Sequence, residues 1–266
     1  MNIFKLLLLW TIPTSLFAID NNQITDARSS ALGDAGASLV SAINPASESL
    51  TRKSTISVHY RNPYGIKELS TVSGRFFYAN KAIDMGATIS KFGFEKFNEM
   101  RLAASVSKKL SSKLSLGVRL NYYSLLMSSL EERKSMLTGD IGFFVVPTSR
   151  LTIGFVAEHL LKTTYTTARG EFELPMALRV GANYRLTKDY LMVVELAQAT
   201  DDEVVVKIGC ELLPMDDVAL RMGLMSNPMR PTFGVGYSPR QLSFDLASVY
   251  HTILGFHTQF SMGYKF

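Results

Sequence analysis

The chain has 266 residues, 47% hydrophobic and only 19% charged, with a net charge of +5. That charged fraction lies below the ~25% usual for soluble domains, and no dense basic stripe marks a nucleic-acid surface. A single cysteine, Cys210, excludes an internal disulfide and any zinc site built on paired cysteines.

Residues 1–18 open with Lys5, continue through an apolar run and end at Ala18. The run is shorter than the ~20 residues of a membrane helix. It reads as a secretory signal peptide cut after Ala18. No cysteine follows it, so a lipoprotein-type anchor is not expected. Beyond it no stretch of 18 apolar residues occurs, which leaves no transmembrane helix in the mature chain.

Residues 19–53 are of another kind. Small residues dominate from Asp26 to Ala46; Gly33, Ala35, Gly36 and Ala37 allow close packing, and Asn44-Pro45 signals a turn. The stretch is too polar to face lipid.

From residue 54 to 266 the pattern has a period of two. Leu114, Leu116, Val118, Leu120 and Tyr122 fall on one face, against Ser115, Gly117, Arg119 and Asn121 on the other. Fourteen such segments are expected, at 54–61, 68–79, 82–92, 99–109, 113–125, 136–147, 150–160, 176–186, 190–199, 203–213, 217–225, 231–239, 241–250 and 254–266. Most exceed the five or six residues of an ordinary strand and match the ~9–11 of a tilted membrane strand. An even number suits a bacterial single-chain barrel. Alternate connections are tight, at Asn80-Lys81, Ser111-Ser112 and Thr148-Ser149 for example, whereas 62–67, 93–98, 126–135 and 161–175 are expected to be longer. Tight turns on one rim and longer loops on the other are the outer-membrane pattern, with the tight turns and both termini on the periplasmic side.

The final segment alternates Leu254, Phe256, Thr258, Phe260, Met262, Tyr264 and Phe266 against a polar or glycine face. In lipid a sheet can span only if it closes, so this strand must pair with the first. As the edge of a soluble sheet it would be an aggregation hazard. Phe260, Tyr264 and Phe266 also resemble the C-terminal signal that barrel assembly machinery reads. The expected fold is therefore all-β: a transmembrane antiparallel barrel of about fourteen strands in the outer membrane of a Gram-negative bacterium. Lipid is its surroundings, and residues 19–53 form a hatch or plug in its lumen.

Ala27-Arg28-Ser-Ser-Ala-Leu-Gly33-Asp-Ala-Gly36-Ala, followed by Asn44-Pro45-Ala46, resembles the start of mature PorV/PorQ-type proteins. These are relatives of the FadL long-chain fatty-acid transporter, a superfamily with a fourteen-stranded barrel and an N-terminal hatch carrying an Asn-Pro-Ala box. This chain departs from the family in being short, with compact outer loops. The resemblance implies two classes of function. One is a non-enzymatic accessory subunit that binds an outer-membrane secretion or assembly machine. The other is a FadL-like channel for a hydrophobic small molecule.

Alternation places Arg75, Arg101, Arg119, Asp140, Glu158, Arg179, Arg185, Glu195, Lys207, Glu211, Arg221, Asp245 and His257 on the inner face. Mixed charges suit a filled lumen, because a buried charge without a partner is costly. Inward apolar residues such as Ala103, Phe144 and Val205 are scattered and make no continuous greasy path. On this basis the accessory role is the first expectation and the channel the alternative. Catalysis is not expected. His59, His159, His251 and His257 sit in no nucleophile motif, and Gly-x-Ser-x-Gly is absent. His257 is placed to meet Asp245 across the last hairpin, as lumen filler. Cys210 reads as a small hydrophobe. The methionines do not cluster as soft metal ligands would, and no cofactor is expected.

Overall fold

The computed structural model describes residues 25–50, 53–127, 132–161, 164–167, 170–200 and 202–266. The expected leader and cleavage site fall outside them, as do the first residues of the 19–53 segment. The described chain begins with a short helix, α1 (Ala27–Ala31), and a single turn at Glu48–Leu50. Sixteen strands follow: β1 (Thr55–Pro63), β2 (Thr71–Tyr78), β3 (Asp84–Phe94), β4 (Phe97–Lys109), β5 (Leu114–Met127), β6 (Glu132–Val145), β7 (Leu151–Glu158), β8 (Thr164–Thr167), β9 (Gly170–Glu173), β10 (Ala177–Arg185), β11 (Tyr190–Ala199), β12 (Val205–Met215), β13 (Val218–Met225), β14 (Arg230–Tyr237), β15 (Leu242–His251) and β16 (Gly255–Lys265).

Fourteen of these form a closed antiparallel barrel in chain order, in which β7 pairs with β10 and β16 returns to β1. Each lies where the alternation places a strand. The remaining pair, β8 and β9, forms a separate hairpin between β7 and β10, inside the predicted 161–175 loop. Closure runs from Thr55 opposite Lys265 to Pro63 opposite His257. It is completed by reciprocal backbone bonds between Ser54 and Phe266, at 3.2 and 3.0 Å. The Phe266 ring stacks on Phe76 and on Tyr264, at 6.5 and 6.0 Å between centroids.

The rim carrying Thr55 and Lys265 is the near rim; the opposite one is the far rim. Large apolar side chains such as Ile56, Val58, Leu120, Val206 and Phe260 are exposed on the outer wall. Their polar neighbours Ser57, Arg119, Lys207 and Ser261 face the lumen. The wall thus has an apolar belt outside and polar rungs inside, the arrangement of a membrane-spanning barrel.

The far rim differs from the sequence expectation. The 93–98 connection is a two-residue turn, Glu95–Lys96, entered through Gly93 at φ +93°. Most of 126–135 is strand, because β5 runs to Met127 and pairs there with Glu132. Beyond the apolar belt these rungs carry Ser124, Arg133 and Ser135, polar on the outer face too, so the alternation fades while the backbone ladder continues. The β5–β6 ladder extends from Leu114–Val145 to Met127–Glu132, whereas β6–β7 ends at Ile141–Ala157. The first hairpin therefore projects past its neighbour.

Deleting Phe266 removes the last reciprocal backbone pair and a two-ring stack. The fraction of heat-modifiable, folded barrel in membranes is expected to drop severalfold; an unchanged fraction refutes this.

Candidate functional site

The lumen is occupied by residues 25–49, nearly all of them buried. They follow the inner wall strand by strand. The Ala27 amide donates to Ser261 Oγ of β16 at 2.8 Å, and Ser30 donates to Gln259 at 2.6 Å. Thr232 of β14 accepts from the Gly33 amide at 3.0 Å and donates to the Ala31 carbonyl at 2.8 Å. On β11 the Glu195 carboxylate accepts both the Gly36 and Ala37 amides at 2.7 Å. Asn183 of β10 donates to the Ser38 carbonyl. Arg119 of β5 donates to the carbonyls of Ala42 at 2.6 Å and Ile43 at 3.2 Å. Arg75 of β2 pairs with Glu48 at 2.6 Å. The segment so passes around almost the whole circumference.

Glycines in the wall make this path possible. At Gly117, Gly142, Gly154, Gly209, Gly223 and Gly234 an added Cβ would overlap the segment, and at Gly154 it would strike the Ala37 carbonyl. Gly209 and Gly223 stand directly opposite each other, as do Gly117 and Gly142. A strand glycine ordinarily weakens its strand and marks the close approach of another backbone.

Each motif residue singled out in the sequence has a defined place here. Arg28 makes a two-pronged contact with Glu211, both bonds at 2.8 Å, the geometry that makes arginine–carboxylate pairs strong. That charge raises the Arg28 pKa still further, against burial. Gly33 holds φ +73°, a conformation open to glycine. A side chain at Gly36 would run into Ile43. Asn44 donates to the carbonyls of Ala37 at 2.7 Å and Phe143 at 3.0 Å, and accepts from the Ala46 amide at 2.9 Å. Pro45 packs in the space left by Gly117 and Gly142. The Ala46 carbonyl accepts from Ser115 at 2.8 Å.

Most of the predicted inner charges join two chains of ion pairs. The first links Arg101 to Asn121 (2.8 Å), Asn121 to Asp140 (2.9 Å), Asp140 to Arg119 (2.7 Å), Arg119 to Glu158 (4.0 Å), Glu158 to Arg179 (2.7 Å), Arg179 to Glu195 (3.4 Å), Glu195 to Lys207 (3.4 Å) and Lys207 to Asp34 (3.0 Å). It spans seven neighbouring strands and ends on the segment. Burial pushes the Asp34 carboxyl up, but Lys207 and Arg179 outweigh it and hold it below the usual carboxylate range. The second chain joins Arg28, Glu211, Arg221 and Asp245, with Arg221 at 2.6 Å from both carboxylates.

Two placements depart from the sequence reading. His257 accepts from Arg61 at 2.9 Å instead of meeting Asp245, because Val249 stands opposite His257 and Ser261 opposite Asp245. Arg185 is exposed at the near rim and donates to the Lys188 carbonyl at 3.3 Å, outside both ion-pair chains. Sequence reasoning also passed over the neutral anchors Thr232, Gln259, Ser261, Asn183 and Asn121. Their inward parity was the available signal.

Towards the far rim an apolar cluster joins the lining, beside the buried inward carboxylate of Glu99 and the inward-parity Lys134. Tyr123, Leu125, Met136 and Leu174 are buried together with Phe97 against them, and Phe92 meets Phe97 edge-on at 6.4 Å. These side chains lie on the inward parity of β3 to β6, with Leu174 just after β9. The Arg101 guanidinium sits 5.2 Å from the Tyr123 ring centroid and floors the cluster, a cation–π contact. His159, held at φ +57°, closes one side. Its amide donates to Asp140 at 3.0 Å, Nδ1 meets the Pro175 carbonyl at 3.1 Å and Nε2 meets the Tyr123 hydroxyl at 3.1 Å. Since a carbonyl only accepts, Nδ1 carries the proton and Nε2 accepts from Tyr123.

No protein-family model and no curated protein matches the chain. Solved structures do. The Pseudomonas putida toluene transporter TodX aligns with a TM-score of 0.66 at 12% identity, over 91% of this chain and 98% of that one. A Pseudomonas aeruginosa FadL homologue aligns at 0.68 and 12%, over 92% and 99%. A mutant form of TodX, a monoaromatic hydrocarbon channel, aligns at 0.64 and 14%, over 90% and 97%. At such identities the likeness is one of fold: a FadL-like fourteen-stranded barrel, shared with transporters and channels. The narrower PorV/PorQ likeness has no counterpart among these structures.

Glu195 ties four partners together. Glu195→Ala strips a carboxylate from two buried cations and two segment amides, so it is expected to cost about 3–5 kcal/mol. Gly154→Val sets a side chain against the Ala37 carbonyl and is expected to cost roughly 1–3 kcal/mol by overpacking. Urea midpoints of the folded, heat-modifiable species check both.

Proposed function

We propose that this chain is an outer-membrane channel of a Gram-negative bacterium that passively admits a hydrophobic small molecule, with the N-terminal segment 19–53 as its hatch. The observation that carries the substrate class is the inward-facing cluster of Phe97, Tyr123, Leu125, Met136 and Leu174 at the far rim. A porin for polar solutes lines its lumen with polar groups instead. The fold shared with a toluene transporter and a FadL homologue supports the same reading. In this reading the far rim faces the exterior, and the near rim and both termini face the periplasm. The apolar belt meets lipid, and Phe260, Tyr264 and Phe266 present the closing strand to the assembly machinery. The ion-pair chains and the segment keep the lumen shut between passages.

One observation favours a second reading, an accessory subunit of a secretion or assembly machine: the stretch from Ala27 to Ala46 resembles the start of PorV/PorQ-type proteins. A stoichiometric large barrel or lipoprotein retained in a mild-detergent pull-down would carry that reading; a barrel recovered alone would not.

Uptake of labelled toluene or long-chain fatty acid by cells expressing the protein tests the channel. Uptake is expected to rise severalfold over cells without it, and Leu125→Asp, assembled to the same level, is expected to abolish the gain. Uptake no greater than in non-expressing cells overturns the channel. Deleting residues 25–49 is expected to raise single-channel conductance in a planar bilayer; conductance equal to the intact protein's sinks the hatch.

A further inference from the structure

Glu99 is an inward-facing carboxylate of β4, 2% exposed. Its row in the wall runs Phe92–Glu99–Leu125–Lys134 across β3 to β6. In the next row towards the near rim, Arg101 stands opposite Tyr123. The carboxylate is thus set into the ring-lined cluster, beside the edge-on pair of Phe92 and Phe97.

The polar atoms around it are mostly acceptors. Tyr123 gives its proton to His159 Nε2 at 3.1 Å, which leaves the phenol oxygen with only lone pairs to offer. The Pro175 carbonyl accepts from His159 Nδ1 at 3.1 Å. The Arg101 guanidinium sits 5.2 Å from the Tyr123 ring centroid and donates to Asn121 at 3.2 and 2.8 Å. Lys134, the cation of the row, is half-buried on the far side of Leu125. A carboxylate offers about four lone-pair directions, so Glu99 keeps room for a further donor whatever else it meets.

Rings with acceptors among them suit one kind of solute. A hydrocarbon fits the rings but takes water from Glu99 and Tyr123 without replacing its hydrogen bonds, and that desolvation is costly. A solute with its own carboxylate brings like charge against Glu99. A ring carrying a hydroxyl fills the apolar part and returns the hydrogen bond. A site built to bond a donor on its substrate rejects the analogue lacking it more strongly than an apolar pocket rejects an added group.

We infer that the far-rim cluster is a binding site for neutral aromatic molecules that carry a hydrogen-bond donor, phenols above all, and that Glu99 is the acceptor that sets this preference. This rests on the cluster facing the solute, as in the proposed function, and narrows the hydrophobic solute to a class.

The test uses the full-length barrel in detergent and ring-labelled p-xylene, p-cresol and p-toluate, probes of one shape, in equilibrium dialysis against matched micelles. The wild type is expected to bind p-cresol about tenfold more tightly than p-xylene, the scale of one hydrogen bond to a charged group, and to bind p-toluate more weakly than either. Glu99→Leu is expected to bring p-cresol and p-xylene to equal affinity. Glu99→Gln keeps an acceptor without the charge, so it is expected to retain part of the p-cresol preference and to admit p-toluate. A role confined to packing would move all three probes together. Heat-modifiability checks that the variants fold; if Glu99→Leu does not assemble, the isosteric Glu99→Gln decides through its p-toluate affinity. The proposal is overturned by equal binding of p-cresol and p-xylene to the wild type, by an unchanged ratio in folded Glu99→Leu, by p-toluate binding most tightly, or by no saturable p-cresol binding at all. Saturable p-cresol binding with toluene uptake no greater than in non-expressing cells defeats the channel and leaves the site.

Discussion

Every other feature depends on one constraint: a backbone polar group in hydrocarbon has no water to bond to, so the sheet must have no edge. Pairing of β1 with β16, down to the Ser54–Phe266 bonds, meets it. Closure then fixes the rest. Because side chains alternate along a strand, a wall that is apolar outside must turn its intervening residues inward, and here these include many charges. Closed in a ring with little water beside them, charges are tolerated only in mutual contact. The two ion-pair chains follow from closure as directly as the apolar belt does.

Side chains alone do not fill the lumen. An eight-stranded barrel can be filled by its own side chains, but fourteen strands enclose more space. Residues 25–49 take it up, and the wall is shaped to them. Each wall glycine costs its strand roughly 0.5–1 kcal/mol relative to alanine. That cost is offset where segment backbone lies in van der Waals contact and donates or accepts a hydrogen bond nearby. Gly154 beside Ala37 and Gly223 beside Gly33 are examples. Segment and wall constitute one packing unit, and neither half explains its own sequence.

This is why some of the structure was legible in the sequence and some was not. The fourteen strands were, because period two is imposed residue by residue by lipid on one side. The inward position of Arg119, Asp140 or Glu195 came from the same parity. Partners were not legible, since parity fixes a face but not a register. His257 and Asp245 share a face on adjacent strands, yet they lie too far apart along the hairpin to meet, and each pairs elsewhere. Arg185 has inward parity but lies at the strand's end, where the rim opens to solvent. The far-rim ends of β5 and β6 were read as loop because no lipid enforces alternation there. The segment's composition showed that it avoids lipid, but its course along the glycines required the wall.

The lumen also orders what a solute would meet. From the far rim it finds rings and aliphatic side chains with the Glu99 carboxylate buried among them as far as Tyr123, and then Arg101. From there inward the path is closed by charges whose partners are one another. Passage through such a layer needs the obstruction to move as a unit, because separating a single pair would leave a buried ion bare. The part best placed to move is the stretch around Asp34 to Val40. It begins with two consecutive residues in the left-handed region, Gly33 and Asp34, and Val40 is half-exposed. Its ties are Lys207 to Asp34, Glu195 to two amides, Asn183 to Ser38, Asn44 to the Ala37 carbonyl and Ser41 to the Gly36 carbonyl. In a shift of this stretch Glu195 keeps Arg179 and Lys207, so it loses amide donors without being left as a lone charge. The Asn44-Pro45 turn, fastened to β5 and β6, stays as the pivot.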